Sequence, residues 1–119
     1  MAGEYAELHC HSAFSFLDGA SNPEELVFQA KRLGLAALAL TDHDDLGGVV
    51  RFAHTAKELA VEAIVGTELT LDDQSHITLL VAEAEGYKNL CHLISHARNA
   101  CERGSPRVSI ELLAEHSRG

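Results

Sequence analysis

Two short apolar runs of this chain end in clusters of ionisable residues, and that limits how the chain can fold. His9-Cys10-His11 closes the first run, and Thr41-Asp42-His43-Asp44 follows the apolar stretch 35–40. Residues at i and i+2 on a strand point to one face, so His9 and His11 belong together and Cys10 faces the other way, as a core thiol. Polar groups at the end of a buried strand are costly without partners. The fold therefore has to gather these strand ends around something that satisfies them. Glu68 comes just after Ile64-Val65-Gly66, at the end of a further apolar run, and Gly66 allows close backbone approach there. His76 opens the run His76-Ile77-Thr78-Leu79-Leu80-Val81, and Asp18 precedes Gly19 in a loop. The candidate ligands in chain order are thus His9, His11, Asp18, His43, Glu68 and His76. Asp18 reads equally as an ordinary turn residue, and His76 taken alone as an edge residue. Asp42 fits a supporting role, orienting His43 or another ligand, and Asp44 reads as solvated.

The elements between these clusters alternate in type. Residues 4–10 read as a strand. Asn22 caps a helix that has Pro23 at its first position, Glu24 and Glu25 in its first turn and Gly34 past its end. Leu26, Ala30 and Leu33 form its apolar stripe. Residues 35–41 read as a strand buried on both faces. A second helix follows at 49–60, with Val49, Phe52/Ala53, Ala56 and Leu59/Ala60 inward. A third strand covers 62–66. Two more, 69–71 and 76–82, flank the turn Asp72-Asp73-Gln74-Ser75. A third helix spans 86–100 with Leu90, Leu93, Ile94, Ala97 and Cys101 on one stripe. Gly104-Ser105-Pro106-Arg107 breaks it, and Ser109 caps a last helix at 110–116. Parallel βαβ units are the expected architecture, with function at the carboxyl ends of the strands. An α/β barrel takes roughly 200–250 residues. With 119 residues, one domain that is either an open sheet or part of a barrel is expected.

Composition narrows the function. Lys and Arg number 9 against 18 Asp and Glu, a net charge of −9. Such a surface repels phosphate backbones, so contact with nucleic acid requires metal ions or a neighbouring domain. The three cysteines form no CxxC pair, which points to reduced thiols. The apolar runs are too short to span a membrane, and Met1-Ala2-Gly3-Glu4 lacks the features of a signal peptide. A cytoplasmic chain with no membrane contact is expected.

Imidazole and carboxylate ligands without cysteine suit a hydrolytic centre holding divalent Zn, Mn or Fe better than a structural zinc site. Two such ions about 3.5–4 Å apart would activate water and clamp a phosphoryl oxygen. The remaining histidines read as surface residues. His54 lies off its helix stripe, and His116 sits at a fraying end. His92 and His96 are spaced i, i+4 with no glutamate between them as in HExxH. Ser12, Ser15 and Ser21 lack the nearby base and oxyanion-hole pattern of a serine nucleophile.

At these residues the chain resembles the PHP (polymerase and histidinol phosphatase) domain. His9-Cys10-His11, Thr41-Asp42-His43-Asp44 and Gly66-Thr67-Glu68 are similar to its first three motifs. The segments Ser15-Phe16-Leu17-Asp18-Gly19-Ala20 and Glu85-Gly86-Tyr87-Lys88-Asn89-Leu90 resemble the N-terminal end of bacterial C-family DNA polymerases, closest to the error-prone branch used in damage-tolerant synthesis. The resemblance implies a distorted (β/α)7 barrel, here truncated before closure. It implies a site of two or three divalent metals in the complete domain, with His9, His11, Asp18, His43, Glu68 and His76 as ligands. Some members support 3′–5′ exonuclease work, while others are scaffolds. The later ligands, including an Asp-x-His motif, have no counterpart before Gly119, and the nucleotidyltransferase palm is absent. The expectation is therefore a metal-binding N-terminal fragment that does not polymerise DNA by itself. Its implied partner is the remainder of a polymerase acting in DNA repair and replication, with DNA reached through that parent and oligomerisation possible through unclosed sheet edges. A stand-alone metal-dependent phosphatase and a non-catalytic scaffold are the alternatives, and the Glu85–Leu90 segment speaks against the first.

Overall fold

The computed structural model describes residues 5–15, 19–101 and 105–119. Its elements are β1 (Ala6–Glu7), α1 (Pro23–Leu33), β2 (Ala37–Leu40), α2 (Val49–Leu59), β3 (Ala63–Thr70), β4 (His76–Leu80), α3 (Ala84–Ala100) and α4 (Ile110–Glu115). The strands form one sheet in the order β1-β2-β3-β4. β1, β2 and β3 are parallel, and β4 is antiparallel to β3. This is a mixed α/β half-barrel in which each parallel crossover is a helix. Among the described residues no helix is long and apolar enough to cross a membrane.

Local sequence accounts for the helices. Glu25 accepts the Asn22 N–H at 3.3 Å, and Pro23 occupies the first helical position of α1. Gly34 ends that helix in the left-handed region at φ 69°, where a residue without Cβ is unstrained. α2 ends the same way on Ala60 at φ 55°. Ser109 caps α4 by accepting the Leu112 N–H at 3.1 Å.

Two apolar clusters form the core. Val27 and Ala30 of α1, Phe52 and Ala56 of α2, and Leu38 and Leu40 of β2 form the first. Leu69 of β3, Leu90, Leu93, Ile94 and Ala97 of α3, and Val108 form the second. Burying each large side chain contributes about 1.5–3 kcal/mol. The stripes differ from expectation at several positions. Leu33 is 63% exposed, and Val27 takes the inward place in α1. Thr55 is buried in α2, while Ala53 and Ala60 face out.

The main departure lies in β3. Residues 62–66 and 69–71 were expected as separate strands, but Ala63–Thr70 is one continuous strand. Thr67 and Glu68 keep extended pairing with both neighbours, because β4 folds back on them and pairs Thr67 with Leu79 and Glu68 with Thr78. Gly66 permits this, since a Cβ there would collide with the Leu79 carbonyl oxygen. In the other direction β1 is shorter than expected: among the described residues its ladder with β2 covers Ala6–Glu7.

Alternation along β3 then sorts its side chains. Leu69 faces the α3 cluster. Glu68 and Thr70 face the opposite side of the sheet, where the polar strand ends converge.

Candidate metal centre

Glu68 is the hub of the polar face. It lies within β3, and its side chain is only 7% exposed. The β-bridge His43↔Glu68 places His43 directly beside it, just past the end of β2. On the other flank, β4 begins at His76, paired with Thr70 one step along the same face. His9 and His11 arrive from the extended chain after β1. That segment is tied to β2 where the Cys10 N–H donates to Thr41 Oγ1 at 3.0 Å and the Thr41 N–H donates to the Cys10 carbonyl at 2.8 Å.

Each carboxylate oxygen of Glu68 meets two imidazoles. Oε1 is shared by Nε2 of His9 and by Nε2 of His11, the latter at 3.0 Å. Oε2 lies 3.0 Å from His76 Nδ1 and 3.4 Å from His43 Nδ1. The rings form an arc, with centroids 5.1 Å apart for His9 and His11, 4.2 Å for His11 and His43, and 5.5 Å for His43 and His76. Burial pushes the Glu68 carboxyl up, but hydrogen bonds from His9 and His11 and the nearby His43 outweigh it. The net result lies below the ordinary carboxylate range, so the anion is favoured.

Two overlapping groups result: His9, His11 and Glu68, and His43, Glu68 and His76. The donor atoms within each group lie within 4.8 Å of one another. Donors around one ion at about 2.0–2.2 Å stand up to roughly 4.4 Å apart, so small side-chain rotations suffice. Nitrogen and oxygen donors of this kind fit a divalent cation, and Glu68 is common to both groups.

The structure thus brings together five of the six residues picked out in the sequence. The sixth, Asp18, lies outside the described residues. Asp42 is linked to the His43 backbone through an intervening serine. It is buried and accepts the Ser12 N–H at 2.6 Å, the Ser12 hydroxyl at 2.6 Å and the Ser15 hydroxyl at 2.7 Å. Ser15 Oγ in turn accepts the His43 N–H at 2.9 Å. Asp42 therefore locks the loop that follows His11 onto the backbone that carries His43. Asp44 departs from expectation. Its backbone is left-handed at φ 48°, a conformation Asp tolerates. Its carboxylate accepts the N–H and hydroxyl of Thr70, both at 2.8 Å. Cys10 packs against the first apolar cluster and is not in either group, and burial, then Glu7 and Asp42, push its thiol up.

A family model described as the PHP domain matches residues 7–119. The chain belongs to the PHP domain family. It is 49% identical over 126 aligned positions to the error-prone DNA polymerase of Mycobacterium bovis, covering 97% of this chain and 12% of that protein. It is 45% identical over 118 positions to the error-prone DNA polymerase of Rhodopirellula baltica, covering 99% of this chain and 10% of that one. The PHP chain thus spans about a tenth of the length of these relatives. Among solved structures it resembles a proposed metal-dependent phosphoesterase from Bifidobacterium adolescentis, with a TM-score of 0.63, 28% identity, and coverage of 84% of this chain and 35% of the other. It also resembles an amidohydrolase from Chromobacterium violaceum solved with bound sulfate and no metal, with a TM-score of 0.62, 29% identity, and coverage of 80% and 34%.

Sequence reasoning passed over Ser12, Ser15, Thr70 and Asp44 as parts of this PHP site. A signal for the serines was present, since two short hydroxyl residues at i and i+3 directly after His11 offer donors to one carboxylate. Thr70 gave none, because its role depends on β3 running unbroken through Glu68.

Proposed function

We propose that this PHP chain binds divalent cations through His9, His11, Asp18, His43, Glu68 and His76 and belongs to a centre that hydrolyses phosphoesters. The observation that carries this reading is the buried Glu68 carboxylate, with two imidazoles at each of its oxygens. Glu68 bridges the two groups, His9 and His11 serve one side, and His43 and His76 serve the other. Bound divalent ions, Zn, Mn or Fe, supply Lewis acidity toward a phosphoryl oxygen and a more acidic water. Asp42 acts through Ser12 and Ser15, holding both sides in register. Asp44 fixes the end of β3 and with it the approach to His76.

The relatives' names support reading the chain as part of an error-prone DNA polymerase, and its place as one partial PHP domain at the N-terminal end of a cytoplasmic repair or replication enzyme is part of the proposal. Polymerisation then belongs to the rest of such a protein. The outer edges of β1 and β4 are where further chain, or a second copy, adds strands. A stand-alone phosphatase is not favoured, because the relatives are much longer polymerases. A scaffold role remains as the second reading, favoured by the exposure of His9 and His76 at 55% and 48%.

The test is hydrolysis of a nitrophenyl phosphate and of 3′-recessed DNA, with and without added Mn²⁺, by the chain alone and within the longer protein. Metal-dependent cleavage by the longer protein that is lost in Glu68→Ala supports the hydrolytic reading. Metal binding without cleavage in either form supports the scaffold.

A further inference from the structure

A cleft of about 310 Å³ opens beside His76, with Asp44, Thr70, Ser105 and Arg107 among its walls. Strand register explains why they meet. Val108 makes a parallel bridge to Leu71, and its N–H donates to the Thr70 carbonyl at 3.0 Å. The chain at 107–108 therefore flanks β3 on the side where His43 pairs with Glu68, farther along the same edge. Val108 is buried in the α3 cluster. Alternation turns Arg107 to the other face, which is that of Glu68 and Thr70.

Arg107 differs from the other cations near this rim. Arg98 donates to the Asp44 carbonyl at 2.8 Å and lies 3.9 Å from Asp45, and Arg51 pairs with Glu24 at 2.8 Å. Arg107 is exposed, and among the described residues its guanidinium has no hydrogen bond or ion pair. The Asp44 carboxylate, the nearest acidic wall of the cleft, is engaged with Thr70. On a chain of net charge −9, a planar fork of donors in the cleft that His76 also lines suits an oxyanion such as phosphate.

We infer that Arg107, with the Ser105 hydroxyl, forms a phosphate-binding subsite in the cleft beside His76, positioning a phosphate ester against the His43, Glu68 and His76 group. This rests on the phosphoester reading, but its test is separate from it. Inorganic phosphate is titrated calorimetrically into the chain, metal-free and Mn²⁺-loaded, for wild type, Arg107→Ala and Arg107→Lys. The expected result is about tenfold weaker phosphate binding in Arg107→Ala with unchanged metal content, and partial recovery in Arg107→Lys. Equal phosphate affinity in wild type and Arg107→Ala overturns the subsite and leaves the metal reading intact. A wild type that binds no metal contradicts the metal reading, and the metal-free titration then decides the subsite alone. In wild type, phosphate should shift the Arg107 side-chain NMR signal and leave that of Arg51 in place. An unmoved Arg107 signal overturns the inference even if the variants fail to fold. Dimethyl phosphate and methyl phosphate as competitors separate a diester from a monoester ligand. Displacement by either supports the subsite, and displacement by neither overturns it.

Discussion

The histidines around Glu68 and those on the helices are the same residue type in opposite circumstances. His9 with His11, His43, and His76 come from three separate segments and meet at one buried carboxylate. His54, on α2, lies 3.1 Å from Glu58 one turn away, with both side chains mostly exposed. Such a pair contributes a few tenths of a kcal/mol. His92 and His96 have the i, i+4 spacing that suits zinc, yet both are exposed, and the nearest ring contact is His92 with His116 at 6.1 Å. The difference is not spacing. The sheet delivers a buried anion to the first set and nothing comparable to the second. A metal centre in this fold is therefore made by strand register, which aims Glu68 inward, more than by any local motif.

Breaking that hub should have the largest effect. Glu68→Ala removes the donor common to both groups, and divalent-ion affinity should fall more than about 100-fold at both, beyond what loss of a supporting residue costs. Calorimetric titration checks this, and one ion held at wild-type affinity would show that the groups do not share Glu68. Next comes Asp42→Ala, which strips partners from three buried donors on Ser12 and Ser15. Urea unfolding should show a loss of about 2–4 kcal/mol, and metal affinity should drop about 10–100-fold. Full affinity in a destabilised variant would mean that the His11 loop does not need its tether. Asp44→Ala leaves the Thr70 N–H unpaired at the end of β3, with an expected loss of about 1–2 kcal/mol by the same measurement. The smallest effect belongs to His92→Ala, a surface change expected within about 0.5 kcal/mol of wild type and with unchanged metal content. A clear loss of metal there would erase the contrast between rim and helix.

Much of this contrast was legible in the sequence. His9, His11 and His43 announce themselves at the ends of apolar runs, and His92 and His96 sit off the stripe that buries Leu90, Leu93, Ile94 and Ala97. What local pattern could not supply was the continuity of β3. Thr67-Glu68 looks like a break in an apolar run, but pairing with β4 carries the strand through it. That hairpin pairing turns Glu68 from a strand-end residue into the centre of the arc. The same limit hid Arg107. Gly104-Ser105-Pro106-Arg107 reads as a helix breaker, and only the bridge between Leu71 and Val108 reveals which face the arginine takes. Leu33 fits an apolar stripe by spacing, yet α1 rests on the sheet through Val27 and Ala30 and leaves it 63% exposed.

The central claim is that the arc around Glu68 holds divalent metal. Elemental analysis of the purified chain, wild type beside His43→Ala and His92→Ala, tests it most directly. The account requires bound Zn, Mn or Fe in wild type, the same content in His92→Ala and clearly less in His43→Ala. A wild-type chain without metal after incubation with these ions, or equal stoichiometry in all three proteins, would contradict it.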